Sequence, residues 1–429
     1  MNFRPLAAII LMIALHAALP TGSNAADKTP PPSRFGILLP LSGSLKALGA
    51  KVLDGALMGS SLLIPDGARG PVFYVADSEG DPEKAAAGVE ELAAKGVLGI
   101  VGPLKGESAR AAAKAARKLG VPLITVTPAR DVAGGGVFRL YLRETEEMEK
   151  LARYAIDSMG FRRFAILSPD TDQGKLYRQL FWDAVVKNGG EIAGSEVFTP
   201  SDNVSLKEQI QRLTGVWGLT KEEVREHYER ERLEQQERER SMLSSLGSSA
   251  RGRAQTAVRN RDFSRYKPAP IVDFDAVFIP VSSLEAGQLA SQFPYYDVSG
   301  LTLLGIRSWN YSALTRVGKE YVEGARFPVE WSPATPEGKA FSRDFEAYFG
   351  RIPGPLEAYG FDAAALFMTA WIEGHGQSRQ EVAAYLAALS GAGGVTGPLT
   401  TTPEGDIATE PKFMTVRNRT IIPVQWERR

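Results

Sequence analysis

One stretch, Lys95 to Arg130, limits what this chain can fold into more than any other: KGVLGIVGPLKGESARAAAKAARKLGVPLITVTPAR. Val97, Leu98, Ile100 and Val101 form a short apolar run with a glycine between them, the pattern of a parallel strand buried on both faces. A loop, Gly102 to Ser108, follows. Glu107 to Leu119 is rich in Ala, Lys and Arg, which favour helix, and Gly120 supplies a stop. Pro122 cannot continue that helix, and Leu123 to Val126 read as the next strand. Strand, crossover helix and parallel strand place the intervening loop at the carboxyl edge of a sheet. Open α/β sheets take ligands there, against the free N–H groups of a helix start.

The same rhythm precedes this unit. Arg34 to Pro40 reads as a strand, Lys46 to Leu63 as a helix, Val72 to Ala76 as a strand and Glu83 to Ala94 as a helix. The order β-α-β-α-β-α-β predicts a doubly wound α/β domain. After Gly134-Gly135-Gly136, Phe138 to Arg143 is expected to carry the chain across to a second series. That series has helices at Glu146–Met159, Gly174–Asn188 and Leu206–Leu213, with strands at Phe164–Leu167 and Glu196–Phe198. Further strands end near Ile279 and at Gly305, and a hairpin joins Phe413–Arg417 to Thr420–Val424. Residues 216–268 break the pattern: Lys221 to Arg240 is dense in Glu and Arg, with Glu226/Arg230 and Glu234/Arg238 spaced as i,i+4 pairs. This predicts a charged insertion, helical or disordered, whose one sharper use is to dock a partner.

With 429 residues there is room for two domains. Lys plus Arg and Asp plus Glu both number 50, so no charge surplus argues for nucleic acid. The absence of cysteine removes disulfides, thiolate catalysis, Cys-bound metal and lipidation of an N-terminal cysteine. Met1 to Arg4 is a short basic start, Leu6 to Leu19 is apolar, and Ser23-Asn24-Ala25 offers small residues. Together they read as a secretory signal peptide over 1–25, cut after Ala25 or Ala26, followed by a flexible Pro-rich leader over 26–33. No later stretch is long and apolar enough to span a bilayer, so a periplasmic protein is expected. His227 and His375 sit in no metal-ligand spacing. There is no Gly-x-Ser-x-Gly elbow and no phosphate loop. Neither an enzyme nor a cofactor is expected.

Several segments, taken in order, resemble the type I periplasmic binding proteins of the leucine-binding kind: Leu39-Pro40-Leu41-Ser42-Gly43, Asp77 through Asp81-Pro82, Ile100-Val101-Gly102-Pro103, Pro122 to Pro128, and Gly397-Pro398-Leu399 through Asp406. In the later half, Phe274 to Pro280, Leu304-Gly305 with Ser308-Trp309-Asn310, Tyr321 to Ala325 and Leu356 to Asp362 are similar to the penicillin-binding-protein activator branch, whose members are typically lipoproteins. The resemblance implies two doubly wound lobes joined by a three-crossover hinge: residues 34–143 with 332–410, and 144–331 with 411–429. It implies a non-enzymatic protein that closes its lobes on a small polar solute, an amino acid or a related anion, and hands it to a membrane transporter. The alternative it implies is a regulator that touches a peptidoglycan synthase.

Matched residue by residue, the resemblance places ligand contacts at Ser42, Gly43, Gly106, Ser108, Thr127, Ala129 and Arg130 in the first lobe. In the second it places them at Asp172, Gln173, Ser282, Arg307 and Trp309. Each has a plainer alternative. Ser42 and Gly43 form a turn, Ser108 belongs to helix surface, Arg307 pairs at the surface, and Trp309 packs. Arg130 and Arg307 suit an anionic ligand, because guanidinium pairs bidentately with carboxylates.

Overall fold

The computed structural model describes residues 33–61, 70–201, 205–245, 266–373, 375 and 377–424. The expected signal peptide and all of the leader but Ser33 lie outside the described residues. The described residues divide into two compact units, those up to 147 with those of 328–414 and 422–424 forming the first, and those of 148–327 with 415–421 the second.

The first unit is built on an eight-stranded sheet. Its strands are β1 (Arg34–Leu39), β2 (Val72–Asp77), β3 (Ile100–Val101), β4 (Leu123–Thr125), β5 (Val137–Leu140), β11 (Ala392–Gly394), β12 (Gly397–Thr401) and β13 (Asp406–Thr409). The spatial order is β11-β12-β13-β5-β4-β3-β1-β2. From β2 to β5 and on to β13 the strands run parallel, and β12 alone among these strands is reversed, pairing antiparallel with both β13 and β11. Side chains alternate across each strand. Phe35, Ile37 and Leu39 enter one core, with Val52 and Ala56 of α1 (Lys46–Ser61) and Phe367 of α12 (Pro355–Ile372). Leu38 enters the other, with Val89 and Leu92 of α2 (Pro82–Ala94) and Ala112 and Ala116 of α3 (Gly106–Leu119). Burying each such Leu, Ile, Val or Phe contributes about 1.5–3 kcal/mol.

Helices α1 and α12 approach backbone to backbone. A Cβ on Gly55 would lie 1.9 Å from the Glu357 carbonyl oxygen, and one on Gly360 would lie 2.2 Å from that of Val52. Arg351 ties the same two helices through Asp54 at 2.6 Å and Glu357 at 2.5 Å.

The second unit carries a seven-stranded sheet in the order β15-β14-β10-β9-β8-β6-β7. Its strands are β6 (Arg163–Pro169), β7 (Glu191–Phe198), β8 (Ala276–Phe278), β9 (Thr302–Leu304), β10 (Arg326–Val329), β14 (Lys412–Arg417) and β15 (Thr420–Pro423). Strands β7, β6, β8, β9 and β10 are parallel. The helices of this series are α4 (Glu144–Arg153), α5 (Asp172–Lys187), α6 (Lys207–Leu213), α8 (Ser283–Ala290), α9 (Gln292–Tyr295) and α10 (Ser312–Gly318). Helices α11 (Pro336–Phe349) and α13 (Arg379–Ala387) complete the first unit.

Within the insertion, Lys221–Ser245 forms a single helix, α7, with the Arg225–Glu229 and Arg238–Glu234 pairs along it. On its inner side Glu231 accepts from Ala269 N at 3.3 Å, and Tyr228 meets the edge of Tyr266. Residues 246–265 of the insertion lie outside the described residues.

Three local expectations are corrected. Residues 138–143 are not a bare connection, because Val137–Leu140 is an interior strand between β4 and β13. The helix expected to run unbroken to Met159 becomes a π-turn over Tyr154–Ser158. Strands β11 to β13 were not expected as strands; β11 reads Ala-Gly-Gly and β12 begins Gly-Pro, a composition that signals turns.

Candidate functional site

In the first sheet β1 lies between β2 and β3. The chain leaves β1 to one side and returns on the other, so a topological switch falls between β1 and β3 at the carboxyl edge. The loops after β1, β2, β3 and β4 stand side by side along this edge. Together with the first turn of α3 they carry all seven first-unit residues singled out from sequence.

The loops are fastened to one another. Asp77, the last residue of β2, accepts from the backbone N–H of Leu41 and of Glu79, both at 2.8 Å. Burial pushes its carboxyl up, but bonds from the Ser42 hydroxyl and from the N–H groups of Glu79, Leu41 and Ser42 outweigh this and hold it below the usual carboxylate range. Ser42 therefore sits in the turn after β1 and braces β2. Gly43 has φ +70, and a Cβ there would touch the Glu79 carbonyl oxygen at 3.4 Å. Gly102 has φ +104, and its Cβ would fall 2.0 Å from Leu38 O, so only glycine lets β3 leave the sheet here.

Beyond Gly102 the loop enters α3. Its N-cap, Lys105, makes no side-chain capping bond, and the first turn's N–H groups are left to other partners. Ser108 stands in that first turn. It is fully buried rather than on the helix surface, and its Oγ has no hydrogen-bond partner. Helix side chains lean toward the N-terminus, so this hydroxyl lies on the side of the helix start. Gly106 faces the loop after β4, where a Cβ would meet Ala129 Cβ at 3.2 Å. Thr127 is buried and accepts from Ala129 N at 3.4 Å. Arg130 is exposed and pairs with Glu144 at 3.2 Å, while Asp131 pairs with Arg110 at 2.7 Å, which holds its carboxyl low.

One residue that sequence reasoning missed organises this loop. Arg139 of β5 is 1 % exposed, bonds Asp406 of β13 at 2.6 Å, and donates to the carbonyls of Pro128 and Ala129 at 3.1 and 3.3 Å. The signal was present: a lone arginine inside the apolar run Val137-Phe138-Arg139-Leu140.

The second unit's carboxyl edge is built in the same manner. Asp172 and Gln173 are exposed at the start of α5, whose N-cap is Thr171. Ser282 spends its hydroxyl on a capping box with Glu285 at the start of α8. Trp309 is fully buried and donates from Nε1 to Val281 O at 3.0 Å, and Ser308 Oγ bonds the same carbonyl at 3.1 Å. Both Ser282 and Trp309 thus serve their own loops. Arg307 is half-buried just before Trp309. Ser168, ending β6, is another fully buried hydroxyl without a partner.

Among the described residues no group of three or more His, Asp or Glu could hold a metal ion, and no helix is long and apolar enough to cross a membrane.

Comparison with known proteins agrees with this architecture. Residues 32–214 match the family model described as periplasmic binding protein. The Leu/Ile/Val-binding protein homolog 3 of Brucella melitensis is 25% identical over 175 residues, 39% of this chain and 48% of that protein; the match spans about half the relative's length. Among solved structures, a protein from Rhodospirillum rubrum assigned to a branched-chain amino acid ABC transporter superposes with a TM-score of 0.72 at 20% identity, covering 92% of this chain and all of the other. The Streptococcus pneumoniae binding protein LivJ, solved with isoleucine, gives 0.56 at 18% identity over 92% of this chain and 99% of its own. A solute binding protein of Rhodopseudomonas palustris, solved with benzoate, gives 0.55 at 16% over 92% and 96%. The likeness to an activator of penicillin-binding proteins, read from the later half, is not supported by these matches. Residues 32–214 thus carry the match to the periplasmic-binding-protein family, and over 92% of its length the chain shares the fold of these solved binding proteins.

Proposed function

We propose that this protein is an exported, non-enzymatic solute-binding protein that takes a small polar ligand at the carboxyl edges of its sheets and presents it to a membrane transporter. One observation carries the reading. At the switch point of the first sheet, a helix start without a side-chain cap adjoins a buried hydroxyl that has no partner. Such an arrangement satisfies nothing in the protein itself and suits an anionic ligand group. Thr127, Ala129 and Gly106 shape the wall beside it, and Arg130 supplies a nearby positive charge. In the second unit Gln173, Asp172 and Arg307 are the proposed contacts, with Trp309 and Ser282 positioning the loops. The relatives named above bind isoleucine and benzoate, which supports a carboxylate-bearing solute.

A ligand that binds only the folded protein must raise its melting temperature, by mass action. A thermal-shift screen of amino acids, organic acids and cell-wall fragments tests the proposal. Failure of every compound, with no small molecule carried through native purification, would sink it. Small-angle scattering with and without a hit tests the expected closure, and cell fractionation tests export. The alternative, a regulator that contacts a peptidoglycan synthase, would need capture of such a synthase that is lost on removal of residues 221–265.

A further inference from the structure

We propose that two copies of this chain pair through strand β2, antiparallel about a two-fold axis at Val75. This goes beyond the solute-binding reading and does not depend on it. The ground is a comparison of the four sheet edges. An open edge invites another strand, and proteins blunt it by shortness, glycine, proline, charge or a bulge. Strand β11 has three residues and reads Ala-Gly-Gly. Strand β15 has four and ends at Pro423. Strand β7 slips its register against β6 between Phe164 and Ala165, and carries Glu191, Gly194 and Glu196. Strand β2 has no glycine, proline or bulge, and its one charge is at its last residue. Its six residues, Val-Phe-Tyr-Val-Ala-Asp, hold an unbroken register with β1. Val72 and Val75 are 45% and 43% exposed.

The outward groups are self-complementary. Val72 N donates to Ser33 O and Ser78 N to Leu39 O, both on the β1 side. Successive residues alternate sides, so the N–H and C=O groups of Phe73, Val75 and Asp77 point away from β1. None of these groups is bonded among the described residues. With Val75 opposite itself across the axis, Phe73 of each copy faces Asp77 of the other, and every outward donor meets an outward acceptor. Charge selects the antiparallel sense. Arg34, in register with Val72, donates to the Lys95 carbonyl at 3.1 Å, and Asp77 accepts from N–H groups, so neither charge is compensated among the described residues. Antiparallel pairing sets the acidic end of each strand beside the basic end of the other, whereas parallel pairing sets like beside like. Each chain has one such edge, so the pairing closes at two copies.

Sedimentation equilibrium of the full chain over a micromolar dilution series should show a doubled mass. Val75→Pro removes an outward N–H that β1 does not use, so it should give a monomer with the far-UV circular dichroism of the parent. Val75→Lys sets like charges opposite each other and should do the same, which keeps the test open if the proline variant does not fold. The chain has no cysteine, so a single one can be placed at will. Val75→Cys should give a disulfide dimer under mild oxidant, since directly opposed residues stand about 5.5 Å apart at Cα. Val72→Cys, about 20 Å from its copy, should not. A monomer at every concentration, a dimer that survives both Val75→Pro and Val75→Lys, or crosslinking through Val72 in place of Val75 overturns the inference.

Discussion

Replacing Ser108 by alanine separates a ligand-binding role from a structural one, because the two predict opposite signs. In a packed core, deletion of a hydrogen-bonding group normally costs stability. Here Ser108 Oγ is buried with no partner, so the folded protein already bears the desolvation cost of that hydroxyl. Such a group costs about 1–3 kcal/mol. Alanine is also the better helix former by a few tenths of a kcal/mol. The lost dispersion of one oxygen partly offsets this, so Ser108→Ala should stabilise the ligand-free protein by roughly 1 kcal/mol. In urea unfolding followed by far-UV circular dichroism, the midpoint should rise without a change in slope. Ligand affinity should move the other way. A hydrogen bond to an ionised group is worth about 1.5–3 kcal/mol, so titration should show binding weakened roughly 10- to 150-fold. A variant that is less stable and binds as tightly as the parent would refute the reasoning, since Ser108 would then be a structural residue.

Other perturbations follow from the same geometry. Arg139→Met leaves the buried Asp406 with Arg143, at 3.5 Å, in place of its 2.6 Å partner and frees the carbonyls of Pro128 and Ala129; it should cost about 3 kcal/mol by denaturant unfolding and weaken ligand binding as well. Gly102→Ala sets a methyl 2.0 Å from Leu38 O at φ +104, and a loss above roughly 3 kcal/mol, or no soluble protein, is expected on expression. Asp362, buried on α12, accepts from Val395 N, Thr396 N and Thr396 Oγ1, yet burial pushes its carboxyl up to about 6. A raised carboxyl holds its proton more firmly when folded than unfolded. Its contribution is fully present below the unfolded value and is lost as pH rises through 6, so stability should increase between pH 7 and 5. Asp362→Asn should flatten that slope in a series of melts; an unchanged slope would assign it to other groups. Helix α7 is charged along its length and mostly exposed, so joining Thr220 to Tyr266 through a short Gly/Ser linker should leave the midpoint within about 2 °C on a thermal melt.

How far the sequence could be read depended on whether a signal was local. Strands β1 and β2 and helices α2 and α3 announce themselves by apolar runs, by Asp81-Pro82 at a helix start and by Gly120 at a stop, all local features. Strands β11 to β13 do not. Their Gly, Pro and Thr residues adopt extended geometry only because β5 offers a parallel edge to Asp406 and Ile407. The site divides along the same line. Residue types and spacing brought out Ser108, Thr127 and Ala129, but whether a hydroxyl is partnered is a fact of three dimensions. Ser282 and Trp309 look alike in sequence whether they meet a ligand or brace a loop, and the hydrogen bonds to Glu285 and Val281 decide. Arg139 went unread because its partner lies far along the chain, at Asp406.

The glycine contact between α1 and α12 bears on the order in which this protein can be assembled. Two helices that meet backbone to backbone leave no slack for one to settle first and admit the other later. Helix α1 leaves the ribosome early, whereas Pro355–Ile372 is made only after residues 148–327 of the second unit have been translated. That part of the second unit is thus free to fold while the first still waits, its inner core open, for a helix not yet synthesised. The nascent chain would spend much of its synthesis as a client for holdase chaperones, with its amino-terminal third the segment they must cover.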